Sequence, residues 1–339
     1  MSRSRVPPLL MAAALTAVAL VTSSRVHRGP IATESAVAAL PGPDGVPVGV
    51  AEWSDPEVRV DGHRLLRLPL ESVFVLPGES IDVDVGGEPA EEVDVQADAG
   101  LLTRVSDARW NWTPPPAPGH ADLRVAGPDG TEFTLRAWTL VPRTDIEDGR
   151  LGDFRVGRYP ATPLGGNPIY LPPPGLVRVT EENRDVLVSP HFAIGHFVSK
   201  QPGGHPKYLI LRPELLLKLE LLLEALVDRG HPVESFHVMS GYRTPFYNVQ
   251  VLGNVQYSRH QWGGAADIFV DERPKNGLMD DLDGDGQVGL SDIAVITELV
   301  DSLERELDGF PIGGAGVYKA NAVRGPFVHI DVRGVPARW

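Results

Sequence analysis

The chain has no cysteine, which rules out a disulfide framework and a lipoprotein attachment site. An oxidising compartment remains compatible, because disulfides are one mark of it and not a requirement. Long apolar runs are scarce. The one that stands out, Leu9 to Val21, falls short of the ~20 residues that span a bilayer. A positive balance is lacking too: the net charge of −14 argues against nucleic acid and gives no attraction to anionic lipid. With 42% hydrophobic and 22% charged residues, the composition is that of a globular protein. A chain of 339 residues is expected to form two domains.

The apolar run follows Arg3 and Arg5 and closes on Thr22-Ser23-Ser24, so residues 1–24 read as an export signal or an N-terminal anchor. The expected location is the periplasm or cell envelope, with no membrane contact beyond that anchor. Residues 25–55 have the Ala, Gly and Pro content of a linker. In 56–142, Val58-Arg-Val, Ile81-Asp-Val-Asp-Val and Val93-Asp-Val-Gln alternate apolar and polar residues between Pro-Gly and Gly-Gly breaks. Asp122-Leu-Arg-Val and Phe133-Thr-Leu-Arg flank Asp129-Gly130 as a hairpin would. These short strands predict an all-β sandwich. Trp110 and Trp112 lie two apart and share a strand face, placed either to stack on a sugar or to fill the sandwich core.

Proline and glycine in 143–188 predict extended connecting chain. His191 and His196 follow without a fixed third ligand beside them, and are read as local hydrogen-bonding groups. Pro213 to Arg229 predicts a helix stopped by Gly230. Its Lys218, Glu220, Glu224 and Asp228 gather on one side, which predicts a polar face outward and a leucine face on a sheet.

The chemistry concentrates further on. Ser258-Arg-His260-Gln-Trp-Gly-Gly-Ala-Ala-Asp267 sets an imidazole and a carboxylate seven positions apart across small residues that permit a tight turn. Phe327-Val-His329-Ile-Asp331 adds a second imidazole, with Phe327, His329 and Asp331 on one strand face. Two His and one Asp, with a fourth position for water, is the ligand count of a catalytic zinc site. Ser240-Gly-Tyr242-Arg243 ends a strand-like run and supplies a guanidinium suited to carboxylates and peptide carbonyls.

Taken in order, SGYRTP, SRHQWGGAADI and FVHID resemble the zinc D-Ala-D-Ala metallopeptidases, a family of D,D-carboxypeptidases, dipeptidases and murein endopeptidases whose fold is related to the hedgehog domain. The likeness covers roughly the last 150 residues. It implies an α+β zinc peptidase domain over 189–339 and zinc on His260, Asp267 and His329. It also implies peptidoglycan peptides as substrate, with Arg243, Tyr242 and Ser258 near them. Trp110-Asn-Trp-Thr-Pro-Pro-Pro also resembles immunoglobulin-like modules, which implies a sandwich of that type in the N-terminal part.

One departure concerns the general base. Many relatives carry an acid three places before the last zinc histidine, or a histidine two before; here stand Pro326 and Phe327. Asp331 is then the candidate, either as base toward zinc-activated water or as a group that orients His329. Two further readings stay open: a zinc-stabilised wall-binding module without catalysis, and a calcium-dependent envelope adhesin. Calcium enters through Asp281, Asp283, Asp285, Gln287 (by its backbone carbonyl) and Asp292, with Gly286 at the sixth position. That is a twelve-residue calcium loop inserted at 281–292, closer to the dockerin type because it ends on Asp. Ile293, Ile296, Val300, Leu303 and Leu307 then predict an amphipathic helix.

Overall fold

The computed structural model describes residues 40–41, 47–48, 57–61, 63–64, 68–86, 93–127 and 130–339. The export signal at 1–24 and nearly all of the 25–55 linker lie outside the described residues. Among the described residues, no helix is long and apolar enough to cross a membrane.

Alternation in the first half produces two sheets. Strands β1 (Glu57–Val60), β2 (His63–Arg64), β4 (Ile81–Gly86), β6 (Leu101–Ser106) and β7 (Arg109–Thr113) form one, in the order β2-β1-β4-β7-β6. Strands β3 (Leu70–Val75), β5 (Asp94–Ala97), β8 (Gly119–Ala126) and β9 (Glu132–Thr139) form the other, in the order β3-β9-β8-β5. β3 lies parallel to β9, whereas β8 and β9 pair antiparallel across the turn at Gly130. Val83, Val85, Trp110, Trp112, Leu123 and Leu135 share one core between the sheets. Both tryptophans are thus core residues, and Trp112 Nε1 donates to Ala99 O at 2.9 Å.

The second core begins within β9. Trp138, Leu140 and Val141 pack with residues from the C-terminal half, so the described residues up to Arg338 cluster as one compact unit. Two ties reinforce this: Ser72 Oγ donates to Val188 O at 2.7 Å and Arg136 Nη1 to Leu187 O at 2.8 Å. The region expected to be connecting chain holds β11 (Gly175–Val179), between β10 (Val141–Pro142) and β13 (Lys207–Leu209). Proline stops at 174, and Gly-Leu-Val-Arg-Val then buries Leu176, Val177 and Val179. Strand β12 (Leu187–Ser189) follows it.

Helix α1 (Pro213–Asp228) departs from the expected outward polar face, because Lys218 and Glu220 are buried while Asp228 stays exposed. Lys218 Nζ reaches Glu304 Oε1 at 3.3 Å and Asp331 O at 3.2 Å. Glu220 accepts from Ser189 Oγ at 2.5 Å and pairs with His191 Nδ1 at 2.6 Å. Burying a charge is tolerated only with such partners. His191 therefore has a structural partner and no place in a metal cluster among the described residues.

The C-terminal sheet contains β14 (His237–Ser240), β15 (Ala265–Phe269), β16 (Gly314–Tyr318), β17 (Phe327–Asp331) and β18 (Ala337–Arg338), in the order β14-β15-β17-β16-β18. Every residue of β15 and β17 is buried. Helix α2 (Leu290–Glu306) lays Ile293, Ile296, Leu299 and Val300 into the same core as α1. The helix stops before Leu307, which is 40% exposed, because that residue has left helical backbone (φ −111°, ψ 109°).

Candidate metal centre

Strand register assembles the centre. Ser240 lies opposite Asp267, Asp267 opposite His329, and His329 opposite Gly316, a row across four adjacent strands. Side chains directly opposite have Cβ atoms about 5 Å apart, so pairing alone brings the carboxylate to the imidazole. Gly316 leaves the far end of the row without a side chain.

His260 arrives from a 3₁₀ turn, Arg259–Trp262, that ends on Gly263 at φ +66°. A side chain at Gly263 would place Cβ 2.4 Å from Ile210 O, so the turn needs glycine for its conformation and for the approach.

Three atoms converge. His329 Nδ1 is 2.9 Å from Asp267 Oδ1, His260 Nε2 is 3.3 Å from the same oxygen, and the two ring nitrogens are 3.2 Å apart. The outer nitrogens decide the tautomers. His260 Nδ1 is 2.7 Å from Gly241 O, and a carbonyl only accepts, so Nδ1 carries the proton. His329 Nε2 is 3.2 Å from Asp331 Oδ2, an acceptor as well, so Nε2 donates. In the neutral rings the inner nitrogens therefore present lone pairs to each other and to a carboxylate. Three acceptors at these separations could hold a cation between them. Tetrahedral zinc with bonds of 2.0–2.1 Å has ligand-to-ligand edges of about 3.3 Å, so the donor set fits such an ion.

The electrostatics agree with the geometry. Burial lowers the His260 pKa, which favours the neutral ligand form. Burial pushes Asp267 up, but the His260 and His329 rings outweigh this and hold it well below the usual carboxylate range. Burial pulls His329 down, and the carboxylates of Asp267 and Asp331 on its two sides more than reverse that. Both carboxylates thus favour the protonated ring, and metal binding there would displace that proton.

The remaining expected residues divide. Arg243 donates from Nε to Ser240 Oγ at 2.8 Å and from Nη2 to Asp267 Oδ2, so most of its fork holds the Asp267 carboxylate in place. Tyr242, expected near substrate, is buried with its hydroxyl 2.7 Å from that of Tyr159, and Tyr159 in turn donates to Gln261 O at 3.0 Å. It braces the two motifs. Ser258 caps the His260 turn by position, without a side-chain cap bond.

Asp331 is buried on the outer side of His329, clamped by Arg333 and by the Gly314 N–H at 2.9 Å. Burial raises its pKa, whereas His329 and Arg333 pull it far below the usual range. This is the position of an orienting group. Arg333, missed in the sequence, stands two residues after Asp331, just past the end of β17.

In the inserted loop, the carboxylates of Asp281, Asp283 and Asp285 lie together, exposed. Asp292 does not join them. Its Oδ1 accepts from Leu282 N at 2.6 Å and its Oδ2 from Gly289 N at 2.6 Å, so it caps α2 from the buried side. Gln287 is exposed and donates its N–H to Asp285 Oδ1 at 2.7 Å.

No protein-family model matches this chain, nor does any curated protein.

Proposed function

We propose that the chain is an exported zinc peptidase that hydrolyses peptidoglycan stem or cross-link peptides, as a D,D-carboxypeptidase or an endopeptidase. In this reading the N-terminal sheets are an immunoglobulin-like sandwich and the C-terminal part a peptidase domain of hedgehog type. One observation carries it: His260 Nε2, Asp267 Oδ1 and His329 Nδ1 converge within 3.3 Å as lone-pair donors, with both outer ring nitrogens committed to acceptors. The order of the three motifs supports the choice of zinc and substrate.

His260, Asp267 and His329 would hold the zinc. When bound there, zinc supplies Lewis-acid polarisation of a carbonyl and lowers the pKa of a water. Asp331 keeps the His329 proton on Nε2 and so fixes the ring. Arg243 fixes Asp267, and its Nη1, which makes no hydrogen bond among the described residues, faces the task of receiving a substrate oxygen. In the orienting role, Asp331→Asn is expected to weaken zinc affinity about 10- to 100-fold in competition with a chromophoric chelator. Full zinc retention with turnover abolished would assign Asp331 the base role instead.

Commitment of Asp331 on the outer side of His329 favours a second reading, a zinc-stabilised wall-binding module. Incubation of the full chain with cell-wall sacculi separates the two. The peptidase reading expects zinc-dependent release of peptides, identified by mass spectrometry, and none with chelator. Wall binding without release, with zinc bound, would establish the module.

For the inserted loop we propose calcium on Asp281, Asp283 and Asp285. Adding calcium to the zinc-loaded chain is expected to raise its melting temperature and protect residues 281–292 from proteolysis, effects lost in Asp283→Ala. Unchanged melting and digestion would remove the ion from the account.

A further inference from the structure

The loop before β17 places a third cation beside the centre. Asn321 Oδ1 accepts from Val323 N at 2.8 Å and Arg324 N at 3.1 Å, and Asn321 N donates to Arg324 O at 2.9 Å, which fixes the turn. From there the Arg324 guanidinium lies over the Phe327 ring, 4.1 Å from its centroid. Phe327 stacks on Tyr318 at 4.6 Å and 7° between planes, so the guanidinium rests on a rigid aromatic platform. Phe327 shares the strand face of His329, two residues or about 7 Å away.

Arg324 forms no ion pair or side-chain hydrogen bond among the described residues, and its Nη1 is buried without a partner. It feels the charges of both Asp267 and Arg243, which places it at the rim of the centre and not on a remote surface. Leaving a partly desolvated guanidinium without an acceptor is costly, and a planar fork is suited to a carboxylate. Lys200 also lies within electrostatic reach of Arg243 and Asp267, so the rim is cationic on a chain of net charge −14.

We propose that Arg324 anchors the C-terminal carboxylate of the substrate peptide, which makes the preferred substrate one with a free C-terminus and a single residue to be released. This rests on the peptidase reading above. A one-residue leaving group carries its carboxylate about one Cα–Cα step, ~3.8 Å, beyond the scissile peptide. Its partner must therefore come from the rim of the centre itself, and most of the Arg243 fork is already committed to Ser240 and Asp267.

The test uses the zinc-loaded full chain with a short peptide ending in D-Ala-D-Ala and with the same peptide as its C-terminal amide. Calorimetric binding and hydrolysis are measured for wild type, Arg324→Gln and Arg324→Lys, with zinc content checked in each. Wild type is expected to favour the acid over the amide about 10- to 100-fold, as a charge-assisted hydrogen bond gives. That ratio collapses toward one in Arg324→Gln, chiefly through KM, and partly returns in Arg324→Lys.

An acid-to-amide ratio unchanged by Arg324→Gln overturns the anchor, as does equal cleavage of acid and amide by wild type, which would mark an endopeptidase. Selective binding of the acid that depends on Arg324, with neither peptide cleaved, overturns the peptidase reading and leaves the anchor standing. Binding of neither peptide overturns both.

Discussion

Zinc content is expected to fall from one ion per chain to background in His260→Ala, with peptide release from sacculi falling in step. The reason lies in the protonation of what remains. With His260 gone, His329 still stands between the carboxylates of Asp267 and Asp331, which favour its protonated form. A two-ligand remnant must then expel that proton with one fewer donor to hold the ion. The substitution also leaves Gly241 O without the 2.7 Å bond from Nδ1, at a cost of about 1–3 kcal/mol. Thermal unfolding alongside elemental analysis distinguishes a folded, metal-free chain from a collapsed one. A folded variant that keeps one zinc and full activity would dismiss the centre.

Gly263→Ala is expected to destabilise the chain by about 3–5 kcal/mol, measured by urea midpoint. Two effects combine. The residue sits at φ +66°, where an L side chain costs about 1–2 kcal/mol. Its Cβ would also come within 2.4 Å of Ile210 O and 2.7 Å of Leu211 N, backbone that cannot swing aside. Gly253 supplies the control, because it has φ +67° and nothing within 4 Å of its Cβ. Gly253→Ala should show the conformational cost alone, so the difference between the two isolates the clash. Equal effects would mean that the backbone at Ile210 and Leu211 yields easily.

The contrast between these residues explains what was legible beforehand. His260, Asp267 and His329 could be read because each lies in a short local pattern, and strand alternation carries the face of His329 with it. Tyr242 could not, since its partner Tyr159 is 83 positions earlier and no local pattern connects them. The same holds for α1. A helical wheel sets Lys218 and Glu220 about 160° apart and does not show that Glu304 and Asp331 O receive the one, Ser189 and His191 the other. Asp292 shows a third kind of limit. The twelve-residue spacing is blind to the competition between an ion and the α2 cap for one carboxylate, and here the backbone N–H groups hold it.

Recombination offers another view of the ties between Ser72 and Val188 and between Arg136 and Leu187. A modular protein trades parts at a seam that few contacts cross. Here the obvious seam after Pro142 would strip Trp138, Leu140 and Val141 from the second core and part β10 from β11. It would also leave Leu187 and Val188 with bare carbonyls. A graft that swapped the N-terminal sheets would have to rebuild that shared floor.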